Sequence, residues 1–156
     1  MPATSDKTKE DNDYESNKLF RKVVAEPAAF DGSKSKFHNW WKDTRLWLLG
    51  YDNLTDAAKI IAVLSRLTSG DAADWARVKK DDMLNEKAQT WAEFEKELVA
   101  RFDDPSRKAR ALNDIHNYAQ GKLPIQTYLD RFAVLKATSE LSDMEALYLF
   151  KRGLDP

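Results

Sequence analysis

The run Gln120-Gly121-Lys122-Leu123-Pro124-Ile125-Gln126-Thr127-Tyr128-Leu129-Asp130-Arg131-Phe132 constrains the fold more than any other stretch of the chain. Gly121 stands where a helix would end, because a residue without Cβ takes the left-handed C′ conformation cheaply. Pro124 suits the first position of a following helix, where its missing N–H is no loss. Beyond it Tyr128, Phe132 and Leu135 recur at i, i+4 and i+7 and form one apolar stripe, with Asp130 and Arg131 off it. The spacing therefore predicts a helical hairpin with a buried aromatic face.

Upstream the same 3.6-residue rhythm repeats. Residues 1 to about 13 hold almost nothing apolar and are expected to be disordered. A weak helical signal follows, with Leu19 and Val23, and Phe20 and Val24, paired at i, i+4 until Pro27. From about Lys36 to Leu49 the residues Phe37, Trp40, Trp41, Thr44, Trp47 and Leu48 predict a first strong helix, with Gly50 as its C-cap. Thr55 and Asp56 cap a second helix to about Leu67, with Ala58, Ile61, Ala62 and Leu64 inward. Asp71 to about Lys80 reads as a third, its apolar residues Ala72, Trp75, Ala76 and Val78, and Lys79-Lys80-Asp81-Asp82 as a solvated loop edge. Thr90-Trp91-Ala92-Glu93 is a capping box opening a fourth helix to Phe102, with Trp91, Phe94, Leu98 and Phe102 in register.

Asp103-Asp104-Pro105 marks a boundary, with Asp104 as N-cap and Pro105 at N1 of a helix reaching Gln120. Ala109, Leu112, Ile115, His116 and Ala119 are its expected inner side. After the hairpin's second helix, 124 to about 137, Ser142-Asp143-Met144-Glu145 predicts another capping box and a last helix to Arg152, stopped by Gly153. The fold class is all-α, in two small helical lobes: a mostly disordered tail over 1–26, a first lobe over 27–104 and a second over 105–156. All five tryptophans, Trp40, Trp41, Trp47, Trp75 and Trp91, fall in the first lobe, which gives so short a segment enough aromatic surface for a core of its own.

Composition excludes several functions. With no cysteine there is no disulfide, thiol nucleophile or cysteine-based zinc site. A net charge of −1, divided as −1, −2 and +2 over the three segments, gives no bulk attraction to nucleic acid or anionic membrane. No apolar run approaches the ~20 residues of a membrane span, and no signal-peptide core is present. The expected setting is cytoplasmic, or nuclear. His38 and His116 stand far apart in sequence with no nucleophile elbow beside them and read as packing or hydrogen-bonding residues. Asp81-Asp82 and Asp103-Asp104 are consecutive and flank helices, which suits caps better than a metal site. There is no phosphate loop, protease signature or HExxH, so no enzyme, cofactor or metal is expected. Arg107, Lys108 and Arg110 share one turn and read as a solvated face, although nucleic acid is the other reading.

The hairpin motif, Gln120-Gly121 with a short spacer and then Tyr128-Leu129-Asp130-Arg131-Phe132, closely resembles the major homology region of retroviral and LTR-retrotransposon Gag capsid proteins. Other features are similar to capsids of the gypsy-type elements and their domesticated relatives such as the neuronal Arc protein. These are the Phe30-Asp31-Gly32 opening, Trp40-Trp41, Leu67 through Gly70-Asp71-Ala72-Ala73-Asp74-Trp75, Thr90 to Phe94, Leu98 to Phe102, and the closing Glu145 to Phe150 with Gly153-Leu154. The resemblance spans residues 30 to 154 and implies an N-terminal and a C-terminal capsid lobe. Two departures stand out. The spacer Lys-Leu-Pro-Ile-Gln-Thr lacks the Glu usual in retroviral versions, which reduces the family's hydrogen-bond network to Gln120, the Gly121 backbone and Arg131. The chain also stops at Gly153-Leu154-Asp155-Pro156 where such lobes continue for one or two helices, so the second lobe reads as incomplete.

The last helix is apolar nearly all round and so needs cover on both sides. If Ala146, Leu147 and Phe150 face the lobe's own helices, Met144 and Tyr148 face out, to meet a second chain or a further helix. They are also readable as ordinary semi-exposed residues. The resemblance implies the first, because family C-terminal lobes dimerise through this helix. The expected function is a structural Gag-like capsid protein, or a domesticated copy, that self-assembles into a shell around retrotransposon RNA, with RNA reached only indirectly. The alternative is an adaptor whose first-lobe tryptophans line an apolar groove for a short peptide, as Arc implies.

Overall fold

The computed structural model describes residues 24 to 87 and 89 to 155. The disorder expected for residues 1 to 13, and the helical signal up to Val23, lie outside the described residues. Within them the chain is all-α, seven helices with one isolated parallel β-bridge, Phe30 to Leu67. They are α1 (Lys34–Leu49), α2 (Asp56–Leu64), α3 (Gly70–Leu84), α4 (Trp91–Phe102), α5 (Arg107–Asn117), α6 (Ile125–Ser139) and α7 (Asp143–Gly153). None is long and apolar enough to cross a membrane. The chain divides into two compact units after Asp104.

The first unit is built around α1. Phe37, Trp40, Trp41, Thr44, Trp47 and Leu48 all point inward and are buried, because their spacing puts them on one side of the helix. Phe30 stacks on Trp40 with ring centroids 4.7 Å apart and meets Phe102 edge-on at 5.4 Å. Trp41 carries the aromatic run on to Trp91 and Phe94. The extended segment ahead of α1 is held by the Trp40 indole N–H, which donates to the Ala28 carbonyl at 2.7 Å, and by Phe30 N–H to Arg66 O at 2.8 Å. Thr44, buried without charge, satisfies its hydroxyl on Trp40 O one turn back.

Several boundaries and faces differ from the sequence reading. α2 stops at Leu64 and not near Leu67, and its buried residues are Ile60, Val63 and Leu64, with Ile61 57% exposed. Ile60, Val63, Leu64 and Leu67 form the i, i+3, i+4, i+7 series that centres the inner face, with Ala62 packed against the core beside them as expected and Ala58 half-buried. Lys79 to Asp82 are not a loop edge: α3 runs on to Leu84. The Lys79 ammonium lies over the Trp75 ring and pairs with Glu97 on α4, so its apolar stem covers the core while its charge stays partnered. Val78 is exposed, and Ala72 and Ala76 make the close face of α3. α4 begins with the expected reciprocal capping box between Thr90 and Glu93.

In the second unit the N-cap of α5 is Ser106, not Asp104, and Pro105 sits in the turn before it. α5 ends at Asn117, short of Gln120, and buries Ala111 and Ile115. Ala109, His116 and Ala119 are exposed, because the face that meets α6 is set by Ile115 and, one turn on, Tyr118. Pro124 is the N-cap of α6 and Ile125 its first residue.

Candidate functional site

The hairpin connection is knotted by one side chain. Gln120 donates its backbone N–H to Gly153 O at 2.7 Å and its side-chain amide to Leu123 O at 3.0 Å. Its side-chain oxygen accepts from Asp155 N–H at 3.1 Å. Gly121 takes φ +53 within this connection, three residues past the α5 C-cap Tyr118, so it shapes the turn and does not cap the helix. Arg131 is exposed and takes no part in these bonds. It stands instead with Asp114, Asn117, Tyr118, Val134 and Leu135 around a shallow hollow between α5 and α6.

Tyr128 is the fully buried centre of the unit. Its ring stacks on Tyr118 at 5.2 Å and tilts against Phe150 at 5.1 Å, and Phe132 meets Phe150 edge-on at 5.2 Å. The Tyr128 hydroxyl donates to Phe150 O at 2.9 Å. Burial, with Tyr118 nearby, raises its pKa above the ordinary phenol value, so it stays a neutral donor.

Gly153, expected to stop the last helix, ends it and does more. It is the last residue of α7, buried, with Leu154 as C-cap. A Cβ there would lie 2.3 Å from the Tyr128 hydroxyl oxygen and 2.7 Å from Tyr118 O, so α7 approaches this closely only because position 153 has no side chain. Its phase with Ala146, Leu149 and Phe150, at i, i+3, i+4 and i+7, was the available signal.

The same phasing decides what α7 presents outward. Ala146 and Leu149 are buried and Phe150 is half-buried, so Leu149 takes the inward place expected of Leu147. Leu147 is 54% exposed and joins Met144 at 83% and Tyr148 at 65% on the outer side. The Arg152 guanidinium stands 5.9 Å from the Tyr148 ring centroid and also donates to His116 O. At the start of α7 the Ser142 hydroxyl accepts from Glu145 N–H, and Lys136 pairs with Asp143, linking α6 to α7. Leu147 also borders a groove with Leu129, Phe132, Ala133 and Phe150, so the outward apolar surface continues from α7 onto α6.

In the first unit Trp40, Trp41 and Trp47 are buried and Trp75 and Trp91 half-buried. Trp91 lines a surface hollow with Arg45, Leu48, Leu49, Lys59 and Glu95. Lys108 of the basic turn pairs with Glu140 at 2.7 Å, which ties α5 to the end of α6. His116 shares a hydrogen bond with Leu112 O. Among the described residues no group of three metal-ligating side chains comes together.

Compared with known proteins, no curated protein and no solved structure matches this chain. The family described as Ty3 transposon capsid-like protein matches residues 14–156, nearly the whole chain. With the all-α architecture, this places the chain among the Ty3 transposon capsid-like proteins, structural capsids of the Ty3/gypsy retrotransposon Gag type.

Proposed function

We propose that the protein is a shell-building subunit whose copies meet through the outer face of α7. The observation that carries this reading is the run Met144, Leu147 and Tyr148, three large apolar side chains exposed on one side of a helix whose other side is already packed. Adjacent exposed apolar residues mark association surfaces in a way that single ones do not. The patch is small, which suits reversible contacts repeated many times over a shell, well below the ~1,600 Å² of a standard stable interface. Lys151 and Arg152 flank the patch and keep its rim polar. A cytoplasmic or nuclear setting belongs to the same proposal.

The peptide-adaptor reading has less to rest on. It needs an apolar groove lined by tryptophans; three of the five are spent on the core, Trp75 packs on Phe94 and Phe102 with Lys79 over its ring, and Trp91 alone of the five borders the surface hollow of the first unit.

Light scattering of the chain at high concentration and high salt tests the proposal. The expected result is a mass that rises with concentration, and a monomer for Met144→Asp combined with Tyr148→Asp at unchanged helical content. A chain that stays monomeric throughout, or a double variant that assembles like the parent, overturns it.

A further inference from the structure

Among the described residues Met144 is the most exposed large apolar side chain, at 83%, and it stands in the first turn of α7 on the outward patch with Leu147 and Tyr148. Its chemistry sets it apart from those neighbours. The chain has no cysteine, so its only sulfur atoms are those of Met1, Met83 and Met144. Met83 is half-buried and packed against the core cluster of the first unit, and Met1 lies outside the described residues. The thioether open to water is therefore the one in the middle of the association patch.

The seat of α7 does not depend on Met144. Ala146, Leu149 and Gly153 bury the inner face, the Tyr128 hydroxyl donates to Phe150 O, and the Ser142 hydroxyl accepts from Glu145 N–H at the helix start. A change at position 144 alters what the helix presents and leaves how it packs.

We infer that Met144 is a redox switch on self-association, set by peroxides. Its Sδ takes one oxygen atom from the peroxide, whose O–O bond breaks and which leaves as water or an alcohol; the sulfur gives up two electrons and the peroxide takes them. A flexible apolar side chain becomes a polar sulfoxide, whose oxygen must shed its water to enter an apolar contact. The contact between copies weakens while the unit stays folded, and a shell that repeats the contact in every copy compounds the loss. A sulfoxide reductase reverses the step, two thiols closing to a disulfide as the oxygen leaves as water. The inference rests on α7 being the face through which copies meet.

The full chain treated with dilute hydrogen peroxide tests it, with mass mapping of proteolytic fragments to locate the added oxygen. Met144 is expected to oxidise ahead of Met83, and the concentration at which the scattering mass rises to move up roughly tenfold, since burying such a side chain is worth that or more. Helical content and urea midpoint are expected to stay put, and sulfoxide reductase with a dithiol to restore the starting curve. Met83→Leu is expected to respond like the parent, and Met144→Leu, whatever its own starting curve, not to shift on treatment. Full oxidation of Met144 with an unmoved curve, an equal shift in Met144→Leu, or a loss of assembly matched by a loss of urea midpoint each overturns the switch and leaves the α7 reading standing. An untreated chain that stays monomeric overturns both.

Discussion

Gly121 lies in the hairpin connection of the second unit and Gly153 ends α7 against it, but an added methyl group meets different obstacles at the two. At Gly121 nothing lies within 4 Å, and the only cost is the positive φ. Gly121→Ala is expected to lose about 1 kcal/mol, and Gly121→Asn less, because Asn visits the left-handed region more readily. Gly153→Ala drives a methyl into the Tyr128 hydroxyl and the Tyr118 carbonyl, and is expected to lose about 3 kcal/mol as overpacking, with Gly153→Asn no better. Urea unfolding followed by far-UV circular dichroism separates the two patterns, and equal losses at both sites contradict the close-approach account. Tyr128 was legible in the sequence because its stripe is local. The demand on Gly153 was not, because it comes from residues 25 and 35 positions earlier that spacing along one helix does not reveal.

Helices were legible as elements because every stretch between breaks carries a 3.6-residue rhythm, and the Thr90 box fixed one start to the residue. Their faces were read less well where small and large apolar residues alternate, as on α2 and α7. On α2 the series Ile60, Val63, Leu64 and Leu67 sets the rotation and leaves Ile61 out, and on α7 the close approach of Gly153 to Tyr128 turns Ala146 and Leu149 inward and leaves the equally large Leu147 out. Four consecutive charges, Lys79 to Asp82, look like a loop edge in the sequence, but Lys79 pairs with Glu97 on α4 and the third helix runs through them. That pair carries a pH signature. The hydrogen bond from Lys79 holds the Glu97 carboxyl below its ordinary 4.5, with burial working against it. A carboxyl whose pKa is depressed by folding adds stability above the unfolded value, and the gain is lost as pH falls through the lower folded value. Glu97→Gln is therefore expected to lower the urea midpoint modestly at pH 7, where the gain is present, and to flatten its fall between neutrality and about pH 3, so that the two proteins converge at low pH. An unchanged acid limb would show that the pair contributes nothing.

The molecule is two units of unequal means. The first holds fifteen buried apolar residues in its core, the second, from Pro105 on, a cluster of five. A segment that short buries only ~60% of its unfolded surface and is marginally stable. Because every tryptophan lies in the first unit, urea unfolding is expected to show two steps by circular dichroism and only the later one by tryptophan emission. Coincident single transitions would mean that the two units unfold as one. One feature of the second unit reaches past the chain itself. Gln120 clips the backbone at both Gly153 and Asp155. A polypeptide spliced on behind residue 155 therefore departs from an anchored root beside the hairpin turn, and its heading is inherited from the hairpin and not from a swinging tail.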